Sequence, residues 1–146
     1  MRSNLTKTAL AVATITIAAT AIAGTFVSGN CTWGVATVKG DPVKNKKGTV
    51  IDYSLPWSGS AKDWCSNAKI YATVDQKEAK GAIVVFNGPN TSYGHVGIIT
   101  RTGEMESMND LDGLGKWTYN RKVSGFPNKK APLAPACYIH YKESKT

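Results

Sequence analysis

Two histidines and three cysteines are all the soft ligand and thiol chemistry that the 146-residue chain carries, and they do not stand at the Cys/His spacings of a zinc site. Acidic residues are scarce too. Ten Asp and Glu face eighteen Lys and Arg, for a net charge of +8, and no acid precedes Asp41. Between Lys7 and Lys39 no side chain is charged at all. No period of about 20–50 residues recurs, which excludes a solenoid or propeller.

What is present points to one folded domain. A hydrophobic fraction of 42%, four Trp, six Tyr and fourteen Gly exclude a disordered chain. A domain of about 150 residues hides roughly 70% of its unfolded surface, so a core is available without disulfides or metals. The composition reads as a loop-rich, mixed or β-leaning domain. The excess positive charge is too dispersed for a nucleic-acid patch. Its densest points, Lys44, Lys46 and Lys47 and then Lys129 and Lys130, lie among Gly, Pro and Asn, where solvated loops are expected. A diffuse positive field still attracts polyanions, and charge alone does not choose among nucleic acid, anionic lipid and an acidic cell wall.

Residues 1–23 read as a leader. Arg2 and Lys7 give a positive start, Ala9 to Ile22 an apolar stretch, and Ala21-Ile22-Ala23 a small-x-small triplet before Gly24, the pattern of an export signal. A weak membrane anchor, associating through residues 8–27, and a buried core helix are the other readings. Ala and Thr make up most of the stretch, which weakens it as a membrane span. Removal of residues 1–23 takes away Arg2 and Lys7 and leaves +6 on a domain of residues 24–146. Export permits disulfides, and an odd count of three cysteines, Cys31, Cys65 and Cys137, leaves one unpaired or bonded to another chain.

The segment Asn30 to Gly40 predicts a short helix, with Asn30 as N-cap, Gly40 as the residue after its end, and Asp41-Pro42 as a stop. Thr32, Gly34, Val35, Thr37 and Val38 are poor helix formers, so burial must hold it. Cys31 then lies in the first turn, where the helix dipole and free N–H groups favour a thiolate. A buried structural cysteine is the plainer alternative. Gly81 to Phe86 and Gly94 to Thr100 predict a hairpin around Asn87-Gly88-Pro89-Asn90. Period 2 puts His95, Gly97 and Ile99 on one face, and Gly97 leaves room there for the cysteine helix to approach. A strand is expected over Met105 to Asn109, with Ser107 and Asn109 on one face and Glu106 on the other. If Cys31 and His95 form a cysteine–histidine site, the imidazole needs a polar partner to orient it, and parity favours Asn109 over Glu106.

Five segments in order, Asn30 to Ala36, Ala61 to Ala68, Gly81 to Phe86, Tyr93 to Ile99 and Glu106 to Asn109, resemble the successive motifs of the CHAP domain, a family of cysteine- and histidine-dependent amidohydrolases and peptidases. The resemblance runs from about Phe26 to Tyr141, with Cys31-Thr32-Trp33 and Gly94-His95-Val96 its most specific pieces. It implies an α+β, papain-like (NlpC/P60-type) fold, with the cysteine helix packed on an antiparallel sheet, and cleavage of peptidoglycan amide bonds. One position departs from the pattern. The family commonly has Glu two residues before the Asn of the last motif, where this chain has Ser107, with Glu106 one place early. Some phage members bind calcium through acids upstream of the cysteine; here none precedes Cys31, and Asp110 and Asp112 read as a turn. No metal or cofactor is expected.

The expected mechanism uses Cys31 as nucleophile, His95 as base and Asn109 as its orienting partner, with Trp33 and Trp64 lining the substrate cleft unless they are core. The expected partners are peptidoglycan and anionic wall polymers, not nucleic acid, and the expected setting is secreted, cell-wall or periplasmic, with membrane tethering or virion association as variants. A non-catalytic wall-binding module and an exported toxin remain the rival functions. If Cys31 stays free and the chain is exported, Cys65 and Cys137 are left to pair. Two separate buried thiols are the alternative.

Overall fold

The computed structural model describes residues 24–89 and 91–142. The expected leader, residues 1–23, lies outside them, and so does the question of its cleavage. Among the described residues no helix is long and apolar enough to cross a membrane.

Helix α1 spans Cys31–Lys39 and is followed at once by a two-stranded antiparallel ribbon, β1 (Asp41–Lys44) with β2 (Val50–Ser54). The helix forms despite its weak formers because it is clamped. Val35 and Ala36 are buried, and Gly34 sits so close to the sheet that a Cβ would come within 2.6 Å of Met108 Cβ. Gly40 ends it without entering the left-handed conformation expected of a residue in that place. Its backbone is extended, and glycine is required for space, since a Cβ would lie 2.5 Å from Ala36 O and 2.6 Å from Ser54 O.

A 3-10 turn (Ala61–Asp63) and a one-turn helix α2 (Trp64–Asn67) lead into a six-stranded sheet. Its strands are β3 (Thr73–Asp75), β4 (Ile83–Gly88), β5 (Thr91–Arg101), β6 (Glu104–Met108), β7 (Trp117–Lys122) and β8 (Cys137–His140). They are ordered β3-β8-β4-β5-β6-β7, and every pairing is antiparallel. The protein is thus α+β, with a small helical part on antiparallel sheet. The β4–β5 hairpin runs further toward its tip than the sequence pattern suggested, because Gly88 and Thr91 still pair.

Each face of the sheet carries its own core. On the α1 side, Val35, Ala36, Leu55, Trp57 and Trp64 pack against Ile83, Val85, Val96 and Ile98. A disulfide joins Cys65 to Cys137 in this layer, with Cα atoms 6.0 Å apart. On the other side, Val84, Phe86, Ile99 and Met105 pack against Val123, Phe126 and Tyr138. Strand alternation separates the two sets residue by residue. Gly97 also differs from expectation. The space that it leaves is taken by β6, with Glu106 O only 2.8 Å from where its Cβ would be, whereas the close approach of α1 falls on Gly34.

Candidate active site

Cys31 is the free cysteine of the chain and is half-buried at the first position of α1. The first N–H groups of a helix have no carbonyl to bond within it. Asn30 has the backbone of an N-cap, but its side chain makes no capping bond to the helix, so these donors remain directed at the thiol and the space before it. The Cys31 sulfur accepts backbone N–H groups from Val96, Thr32 and Cys31 itself, which lower its pKa. Burial outweighs them, and the negative charge of Asp110 adds to it, so the thiol is pushed up and holds its proton at neutral pH.

The Val96 contact ties the cysteine to β5 one residue beyond His95. The Ala61–Asp63 turn approaches this strand so closely that a Cβ on Gly94 would lie 2.4 Å from Lys62 N, and Gly94 takes φ of 74°. A residue other than glycine before the histidine would push that turn away. His95 pairs with Phe86 across the hairpin, and its imidazole stacks on Phe126 with ring centres 4.7 Å apart and planes 21° from parallel. The side chain is buried, and Nε2 has no hydrogen-bond partner. Burial lowers its pKa to about 4, with Asp110 raising it and Arg121 lowering it. At neutral pH the ring is uncharged and its nitrogen lone pair is free to take a proton.

A cleft of about 730 Å³ brings Cys31, His95 and Asn109 together with Phe26, Tyr93 and Phe126. No Asp, Glu, Lys or Arg among the described residues lines it. Asn109, however, lies beyond the end of β6 with φ of 55°. The strand parity that favoured it stops at Met108. Its amide nitrogen is directed to Asn30 Oδ1, 3.4 Å away. Glu106 is partly buried, which raises its pKa. Ser107 is wholly buried and donates to Asp110 Oδ2 at 3.0 Å.

Neither tryptophan proposed for the cleft lines it. Trp64 is fully buried, donates through Nε1 to Gly59 O at 3.0 Å and packs on Phe26 and Trp57, so it is core. Trp33 is turned to β2, with Nε1 3.2 Å from Asp52 Oδ1. Sequence reasoning passed over Phe26, Tyr93 and Phe126 as cleft residues, and Asp110 as the charge behind them. Asp112 does serve a turn, through Thr118 Oγ1 at 2.7 Å. Among the described residues no group of three or more His, Cys, Asp and Glu is placed to hold a metal ion.

A helix-borne thiol and a strand-borne imidazole opening on one cleft define a cysteine–histidine site. The CHAP domain family model matches residues 22–110, which include Cys31, His95 and Asn109, and the chain belongs to that family. It is also similar to a Streptococcus mutans serotype c protein carrying the name "Putative hydrolase", with 31% identity over 120 residues. That match covers 80% of this chain and 50% of the relative, so the chain spans about half the length of the protein it matches.

Proposed function

We propose that the protein is a peptidoglycan hydrolase that cleaves an amide bond of the stem peptide or cross-bridge, as an endopeptidase or an N-acetylmuramoyl-L-alanine amidase. One observation carries the reading: the Cys31 thiol and the uncharged His95 imidazole share a cleft, with the thiol seated against the β5 backbone beside the histidine. A cysteine at a helix start and a histidine on an antiparallel strand, lining one cleft, support a papain-like arrangement.

The resting pair is thiol and neutral imidazole, so His95 acts as a general base during attack. The S–H proton passes to His95 as sulfur bonds the amide carbonyl carbon. The oxyanion that forms faces the N–H groups at the start of α1, where one donor is worth about 3 kcal/mol. As the C–N bond breaks, the imidazolium returns its proton to the leaving amine. Water, deprotonated by His95, then hydrolyses the thioester and restores the thiol. The uncharged cleft wall suits a peptide segment without ionised groups next to the scissile bond. An exported, wall-facing setting fits the Cys65–Cys137 bond, and the net positive charge, +6 without residues 1–23, suits attraction to anionic wall polymers.

The test is digestion of purified peptidoglycan, with mass analysis of the new termini to name the bond. Cys31→Ala and His95→Ala are expected to lose at least about a hundredfold in rate while staying folded. Wild-type clearing of a peptidoglycan zymogram by folded Cys31→Ala would overturn the reading.

A further inference from the structure

We propose that Asp110, rather than Asn109, is the residue that sets the charge around His95, acting through the body it forms with Arg121 and Phe126, with Ser107 and Arg121 holding its carboxylate in place. The inference rests on the Cys–His reading above and adds a member that the family pattern does not supply at this position.

The Asp110 side chain is 6% exposed. A carboxylate so buried needs partners to remain charged, and it has two. Oδ2 accepts Ser107 Oγ at 3.0 Å and Arg121 Nε at 3.0 Å, which leaves Oδ1 as the oxygen with capacity to spare. Arg121 is itself fixed by a second bond, from its terminal nitrogen to Pro127 O at 2.6 Å. Its guanidinium lies 5.5 Å from the centre of the Phe126 ring, the ring on which His95 stacks. Carboxylate, guanidinium, phenyl ring and imidazole therefore form one connected body behind the cleft wall.

Electrostatics gives this body its function. The cleft lining brings no Asp, Glu, Lys or Arg to bear, and its other titratable groups are Cys31 and Tyr93. The fixed charges that reach His95 come from Asp110 and Arg121, and Asp110 also reaches Cys31. A negative charge placed there stabilises the imidazolium that forms when the thiol gives up its proton, and holds the proton on the thiol until then. Asn109, exposed and directed at Asn30, brings no charge. Ser107, where the family commonly has Glu, still takes part, as the donor that anchors a carboxylate three residues on.

The experiment pairs turnover on peptidoglycan with the pH dependence of Cys31 alkylation by iodoacetamide, in the full chain. Asp110→Asn keeps an acceptor for Arg121 and removes the charge. It is expected to lower kcat at least about tenfold with KM within about twofold, while the alkylation midpoint moves to lower pH by about half a unit or more. Asp110→Glu is expected to keep the midpoint near wild type, and Asn109→Ala to lose less turnover than Asp110→Asn. A purely structural lesion would lower turnover without easing thiol ionisation. An unmoved or raised midpoint in folded Asp110→Asn, or a larger loss in Asn109→Ala, would overturn the assignment. Ser107→Ala covers the case in which Asp110→Asn does not fold: turnover falls several-fold with the midpoint held, and unchanged turnover would count against the proposal. Because alkylation is read without substrate, failure here is distinct from failure of the hydrolase reading, which Cys31→Ala alone decides.

Discussion

The two faces of the six-stranded sheet are built from different materials. The α1 face is aromatic, with Trp57, Trp64 and Phe26 in contact and the Cys65–Cys137 bond alongside. The opposite face also holds an apolar cluster, but an ion pair lies beside it, in which Asp110 accepts Arg121 Nε at 3.0 Å. The histidine belongs to this second face and the cysteine to the first. One layer supplies rigidity for the helix of Cys31, and the other supplies the charge around His95. Substitutions on the first are therefore expected to act on stability, and those on the second on pH behaviour and turnover.

The largest effect expected is from Trp64→Ala, which empties the centre of the aromatic layer. Loss of a fully buried Trp costs about 3–5 kcal/mol, read as a fall in the urea midpoint. A loss below about 1 kcal/mol would erase the distinction between the faces. Next comes removal of the disulfide by Cys65→Ser with Cys137→Ser. The cysteines are 72 residues apart, for which the chain-entropy estimate is roughly 4 kcal/mol, with measured cases near 2–4. Thiol titration of the denatured, unreduced chain is expected to find one free thiol; three would remove the staple from the account.

The smallest effect sharpens the other side. His95 has its folded pKa lowered to about 4 from an unfolded value near 6.5. Between those values the unfolded chain binds more protons, so stability falls as pH drops through this window, by up to about 3 kcal/mol. Above it the histidine contributes nothing to pH dependence, and below it the full penalty applies. His95→Gln is expected to flatten the stability profile between pH 6.5 and 4, and an unchanged slope would show that the imidazole is better solvated than its surroundings imply.

Local pattern made α1, the β4–β5 hairpin and β6 legible, because each has a period, a cap or a turn within a few residues. The cysteine and histidine were legible for the same reason. Asp110 was not. It stands in Asn109-Asp110-Leu111-Asp112-Gly113, which reads as a turn, and it acquires its role from Arg121, eleven residues on, across a strand pairing that no local signal announces. Trp64 illustrates the converse: a large aromatic near a motif invites a substrate role, yet only the packing of Phe26 and Trp57 around it shows that it is core. Parity does not extend to Asn109, because a left-handed residue there ends the alternation.

The position of β8 has a consequence for how the protein is made. The last strand among the described residues is not at an edge but lies between β3 and β4. A chain growing from its N-terminus thus has a gap in the middle of its sheet until β8 has emerged, and Cys65 waits for Cys137 over the same interval. Long-range pairing of this kind is slow to form, and a domain folds as a unit only when the unit is complete. Until β8 inserts, the sheet stays open between β3 and β4, and the layer that carries α1 lacks the disulfide beside it.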